Sequence, residues 1–223
     1  MKTFYEILIE STEQERNYLL SSPVLIECLH GNVSLEQYIG FLKEAYHHVK
    51  HTVPLFMNCG GRLTDRYEWL REAISEYIEE EIGHQEWILN DLGVCGADKE
   101  AMRNSTPDIN TEIMVSYAYD TVCRNNPIGL FGMVFVLEGT SVTLATQAAD
   151  IIKEKLDLPS NAFSYLSSHG SLDIKHIDFY KDIVNKFDSE EDKKSVIHCA
   201  KIIYILYANI FRGLPSFNQK QVA

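Results

Sequence analysis

The stretch PIGLFGMVFVLEGTSVTLATQAA, Pro127 to Ala149, decides the fold class. Glu138 is its only charged residue, and no other charge occurs between Arg124 and Asp150. The length alone admits a membrane-spanning reading. The carboxylate at mid-stretch, with Gly, Thr, Ser and Gln beside it, favours the core helix of a globular protein. An ionised carboxylate there costs several kcal/mol unless it is paired, bound to a cation or protonated. Glu138 therefore requires compensation: a metal ion, a buried Lys or Arg, or a backbone carbonyl that accepts its proton.

Outward from this stretch, the segments between Pro, Gly and Asn/Asp/Ser punctuation show helical periodicity, which predicts an all-α chain. A first helix is expected from Thr3 to Leu20 and a short one from Pro23 to near Gly31. Ser34-Leu35-Glu36-Gln37 is a capping box opening a long helix with the seam Leu35, Ile39, Leu42, Tyr46, Val49 and Val53, bent at Pro54 and ended by Gly60-Gly61. The next helix is expected from Thr64-Asp65 to Gly93, with the stripe Leu70, Ile74, Tyr77, Glu81, His84, Ile88 and Leu92. Thr106-Pro107-Asp108 opens a helix to about Arg124, and the last helix, Ser189 to Phe211, reads as a central packing element. The tail from Gly213 is expected to be loose.

The 223 residues suffice for one sizeable core, and a single domain over 1–223 is expected. A formal charge of -12 disfavours nucleic acid and anionic membrane surfaces as partners. Cys28, Cys59, Cys95, Cys123 and Cys199 form no Cys-x-x-Cys pair and are odd in number, which fits reduced thiols rather than a disulfide framework or zinc ribbon. Glu6, Glu10 and Glu13 break any signal-peptide apolar run, so a cytoplasmic location is expected.

Two polar residues interrupt the apolar stripe of the fourth segment: Glu81-x-x-His84, one helical turn apart. A buried hydrogen-bonded pair is the bland alternative to metal ligation. In His169-x3-Asp173-x2-His176, the three side chains fall within an arc of roughly 60° on an uninterrupted helix. Gly170-Ser171 is expected to break that helix, leaving Asp173 and His176 as an i, i+3 pair. Glu81 with His84, Asp173 with His176, Glu138 and His169 together resemble the ligand pattern of helical di-iron carboxylate sites, where two helices each give one Glu and two others each give Glu-x-x-His, with Asp173 here in place of a Glu and His169 where the second single carboxylate would be. Three carboxylates nearly balance two ferrous ions, and neutral imidazoles complete the set. His47 and His51 are i, i+4 neighbours, but His47 faces away from the seam and reads as a surface residue; His48 borders the apolar face, within reach of a substrate.

These motifs, with Tyr46-His47-His48-Val49-Lys50-His51-Thr52-Val53-Pro54, Glu79-Glu80-Glu81-Ile82-Gly83-His84 and Leu137-Glu138-Gly139, resemble the haem-oxygenase-like superfamily. That group contains TenA thiaminases, the PqqC oxidase and the di-iron oxidase/oxygenase branch with UndA and CADD. The resemblance implies a seven- to eight-helix bundle and two Fe ions, with Mn or Zn as possible substitutes, held by Glu81, His84, Glu138, His169, Asp173 and His176. Glu80 is the fallback for the first carboxylate; some members place it where this chain has Tyr77. It further implies O2 as co-substrate, catalytic roles for Glu81 and Glu138, a homodimer, and a small organic substrate such as a fatty acid, amino acid or aromatic acid. The alternatives are a TenA-like aminopyrimidine hydrolase using Cys123 or Cys59 as nucleophile, and a metal-binding regulatory protein without turnover.

Overall fold

Three capping devices legible in the chain fix the entry points of helices that frame the interior. The computed structural model describes residues 2–217, apart from the side chains of 169–176. At the first capping site, Ser34 Oγ accepts from Gln37 N at 3.2 Å and Gln37 Oε1 accepts from Ser34 N at 2.9 Å, opening α4, Leu35–Val49. Asp108 caps α9, Ile109–Arg124, through Asn110 N. Ser189 caps α12, Glu190–Gly213.

The remaining helices are α1 (Phe4–Ser11), α2 (Glu13–Leu20), α3 (Pro23–Leu29), α5 (Thr52–Arg62), α6 (Glu68–Glu81), α7 (His84–Val94), α8 (Lys99–Arg103), α10 (Leu130–Leu156) and α11 (Ser164–Val184). Among the described residues there are no strands, and the fold is all-α. α10 lies between α11 and α12, α12 also packs on α2 and α9, α4 packs on α7, and α5 packs on α6. Gly132 lets α10 approach α12 closely, since a Cβ there would stand 2.6 Å from Ala200 N and meet the Val196 carbonyl. By length and composition Pro127–Leu156 could cross a membrane; 56% of its most apolar window is buried against the rest of the chain.

Three expected long helices are divided. The first breaks at Thr12, whose hydroxyl donates to Leu8 O at 2.8 Å. The second breaks at Lys50-His51, which places Pro54 in the first turn of α5, where its missing N–H costs nothing. The third breaks at Ile82-Gly83, with Gly83 at φ 95°. Conversely, α11 spans Ser164–Val184 as one element where two were expected. The tail's start is held rather than loose: Gln37 Nε2 donates to Pro215 O at 3.0 Å.

Candidate functional site

A cavity of ≈ 170 Å³ runs along α10 and is closed by residues of α3, α4, α5, α6, α11 and α12. Along α10 its wall is one helical face, from Leu130 by way of Val134, Leu137, Ser141 and Ala148 to Ile152. Aliphatic and aromatic side chains supply most of the lining. Two carboxylates interrupt it, Glu138 from α10 and Glu81 from the last residue of α6.

Glu81 and His84 lie on either side of the Ile82-Gly83 break rather than on one helical turn. The left-handed backbone of Gly83 nevertheless brings His84 Nδ1 to 3.1 Å from Glu81 Oε2. The His84 ring stacks on Trp87 with centroids 4.0 Å apart. Glu80, the fallback carboxylate, is exposed, and only Glu81 of that run lines the cavity.

Tyr77, one turn before Glu81, is the site residue that motif spacing undervalued. Its ring is buried, stacks on Phe56 at 4.9 Å and lines the cavity. Burial pushes the Tyr77 phenol well above its ordinary range, and the charges of Glu138, then of Glu80 and Glu81, add to that shift. The Tyr180 phenol is raised in the same way by burial and then Glu138, and it donates to Phe131 O at 2.7 Å. Glu138 thus faces a pair of phenols held protonated. The i, i+4 spacing of Tyr77 and Glu81 on one stripe was the available signal.

The histidines of α4 divide by face. His48 is buried, lines the cavity and meets the Tyr207 ring edge-on at 5.9 Å. His47 is not on the surface as expected: it is buried, with Nε2 2.9 Å from Ser105 Oγ and Nδ1 3.2 Å from Lys50 Nζ. The loop after α8 covers it. His51 Nδ1 lies 3.1 Å from Tyr119 Oη.

The cysteines considered as nucleophiles stand apart from the cavity lining. Cys123 is exposed, and Cys59 is buried with its thiol pushed up to about 12 by desolvation. Cys28 does line the cavity, but burial pushes its thiol up to about 11, so it is a neutral apolar surface rather than a thiolate.

The donor types present suit iron. Carboxylate oxygens and imidazole nitrogens are ligands for ferrous ions, and a carboxylate touching an imidazole N–H is the usual surrounding of a metal-binding histidine. Among the described residues no three His, Cys, Asp or Glu side chains converge as a metal cluster. His169, Asp173 and His176, expected to complete the set, lie outside the described residues, on α11, which packs along the helix bearing Glu138.

Known structures share this architecture. A domain of unknown function with a haem oxygenase-like fold from Shewanella denitrificans superposes with a TM-score of 0.82 at 23% identity, covering 95% of this chain and 91% of that one. A TenA homologue from Pseudomonas syringae gives 0.76 at 9% identity, covering 94% and 91%. A CADD-like protein of unknown function from Nostoc punctiforme gives 0.71 at 15% identity, covering 95% and 100%. A search of curated proteins gives no match. The sequence model that describes iron-containing redox enzymes matches residues 39–208, which takes in Glu81, His84, Glu138 and the whole of α11. On that match, the chain belongs to the iron-containing redox enzyme family.

Proposed function

We propose that this protein is a non-haem di-iron oxidase or oxygenase that uses O2 on a small organic substrate. The observation that carries the reading is the placement of Glu81 and Glu138 on the wall of a largely apolar cavity, with His84 bonded to Glu81. Carboxylates gathered in such surroundings suit a bound cation. In this reading Glu81, His84 and Glu138 hold the metals together with His169, Asp173 and His176 of α11. Iron bound there supplies the electrons with which O2 is activated.

The chain's own groups do the rest. The apolar walls keep water from the reacting substrate. Tyr77 and Tyr180, both held protonated, keep their hydroxyl protons beside Glu138 and add no further negative charge. His48 lines the same cavity, within reach of a bound substrate. The partner is a small molecule and the assembly a homodimer.

Thermal unfolding with and without Fe(II) under anaerobic conditions tests the ligand set. A ligand at about a hundred times its Kd stabilises the native state by about 2.7 kcal/mol. Native protein gains such a shift, whereas Glu138→Ala and His176→Ala lose most of it. An equal iron-dependent shift in native and variant proteins contradicts the assignment.

A further inference from the structure

The lining of α10 carries the inference that follows, which rests on the proposed site only for where the polar end of a ligand sits. The face from Leu130 to Ile152 lines the cavity throughout, and at 1.5 Å per residue that is a length of about 33 Å. The cavity's ≈ 170 Å³ lie along that face, so it is elongated in the direction of the helix axis. Glu138 divides the length unequally, with about 21 Å from Glu138 to Ile152.

The two ends differ in chemistry. Glu81, Glu138 and Tyr77 mark one position along the cavity. The far end is reached where α10 packs on α3, with Lys155 lying against Gly31 just beyond. There the lining is Val24, Leu25, Cys28 and Ile152. Of the polar side chains lining the cavity, Tyr38 Oη donates to Ala162 O at 2.7 Å, Thr140 Oγ1 donates to Val136 O at 2.6 Å, and Gln37 bridges Ser34 N at 2.9 Å and Pro215 O at 3.0 Å.

We infer that the cavity takes a ligand whose body is one unbranched hydrocarbon chain laid along α10, with its polar end at Glu81 and Glu138 and its terminal methyl among Val24, Cys28 and Ile152. Of the substrate classes open to such an enzyme, this selects the aliphatic amphiphile over the flat aromatic acid and the amino acid. A short or planar molecule leaves most of that length of apolar wall in contact with nothing.

Binding of straight-chain primary alcohols (octanol, decanol and dodecanol) to metal-free protein, by calorimetry, tests this without iron chemistry. Each buried methylene is expected to raise affinity about fourfold until the cavity is full. Alcohols of equal carbon number with fused aromatic rings bind far more weakly. Ala148→Trp, which obstructs the cavity between Glu138 and Ile152, leaves octanol binding in place and abolishes the gain for dodecanol. Val24→Trp, at the far end, does the same if the first variant fails to fold. Affinity independent of chain length, preference for the aromatic alcohols, or an unchanged length profile in folded variants overturns the inference. Chain-length dependence without iron uptake leaves the inference standing and removes the di-iron reading; iron uptake with a flat profile does the reverse.

Discussion

His47 has both ring nitrogens assigned by its neighbours. Lys50 offers only donors, so Nδ1 accepts, Nε2 carries the proton and donates to Ser105 Oγ, and that hydroxyl donates to Met102 O at 2.8 Å. Burial first, and the Lys50 charge second, lower the imidazole from 6.5 to about 4. Because the folded value lies below the unfolded one, the contribution to stability is complete above pH 6.5 and is lost as pH falls toward about 4. Between about pH 7 and about pH 5, urea unfolding should show a steeper loss of stability for native protein than for His47→Gln, the difference approaching one proton. Parallel profiles would remove His47 from the acid response. Its partner Ser105 is 58 residues away, which is why helical spacing alone made His47 a surface residue. Glu138 was legible for the opposite reason: a lone carboxylate in an apolar helix announces its cost locally.

At the scale of elements, caps were readable and breaks were not. Ser34, Asp108 and Ser189 advertise helix starts because the cap and the amide it bonds lie within a few residues. The divisions at Thr12, Lys50-His51 and Ile82-Gly83 fall inside continuous apolar stripes, and periodicity persists on both sides of each. One cap is supplied from another helix. The carboxylate of Asp91, fully buried on α7, accepts from Ser164 N at 3.0 Å and Tyr165 N at 2.9 Å, opening α11, whose own N-cap residue Phe163 gives no side-chain bond. The helix that begins at His84 thereby holds the start of the helix carrying His169, Asp173 and His176. Asp91→Ala leaves two amides without their acceptor and is expected to cost about 1–3 kcal/mol, read as a shift in urea midpoint. A midpoint unchanged from native would show that water replaces the carboxylate without loss.

Across the whole molecule, the all-α class followed from periodicity, and the position of the carboxylates in the core followed from the chemistry of burial. The elongated cavity did not, because it is bounded by α3, α4, α5, α6, α10, α11 and α12 at once and no single stripe reveals which neighbour faces it. The Glu81–His84 contact likewise required the backbone turn at Gly83. The central claim is that these side chains and α11 together hold two irons for O2 chemistry. Anaerobic Fe(II) titration with metal analysis, followed by admission of O2 in an oxygen electrode, tests it most directly. Two ferrous ions bound per chain and O2 consumed in proportion to the iron loaded are expected, with both lost in Glu138→Ala. Iron binding no greater than background in folded native protein, or iron and O2 uptake undiminished in the variant, would contradict it.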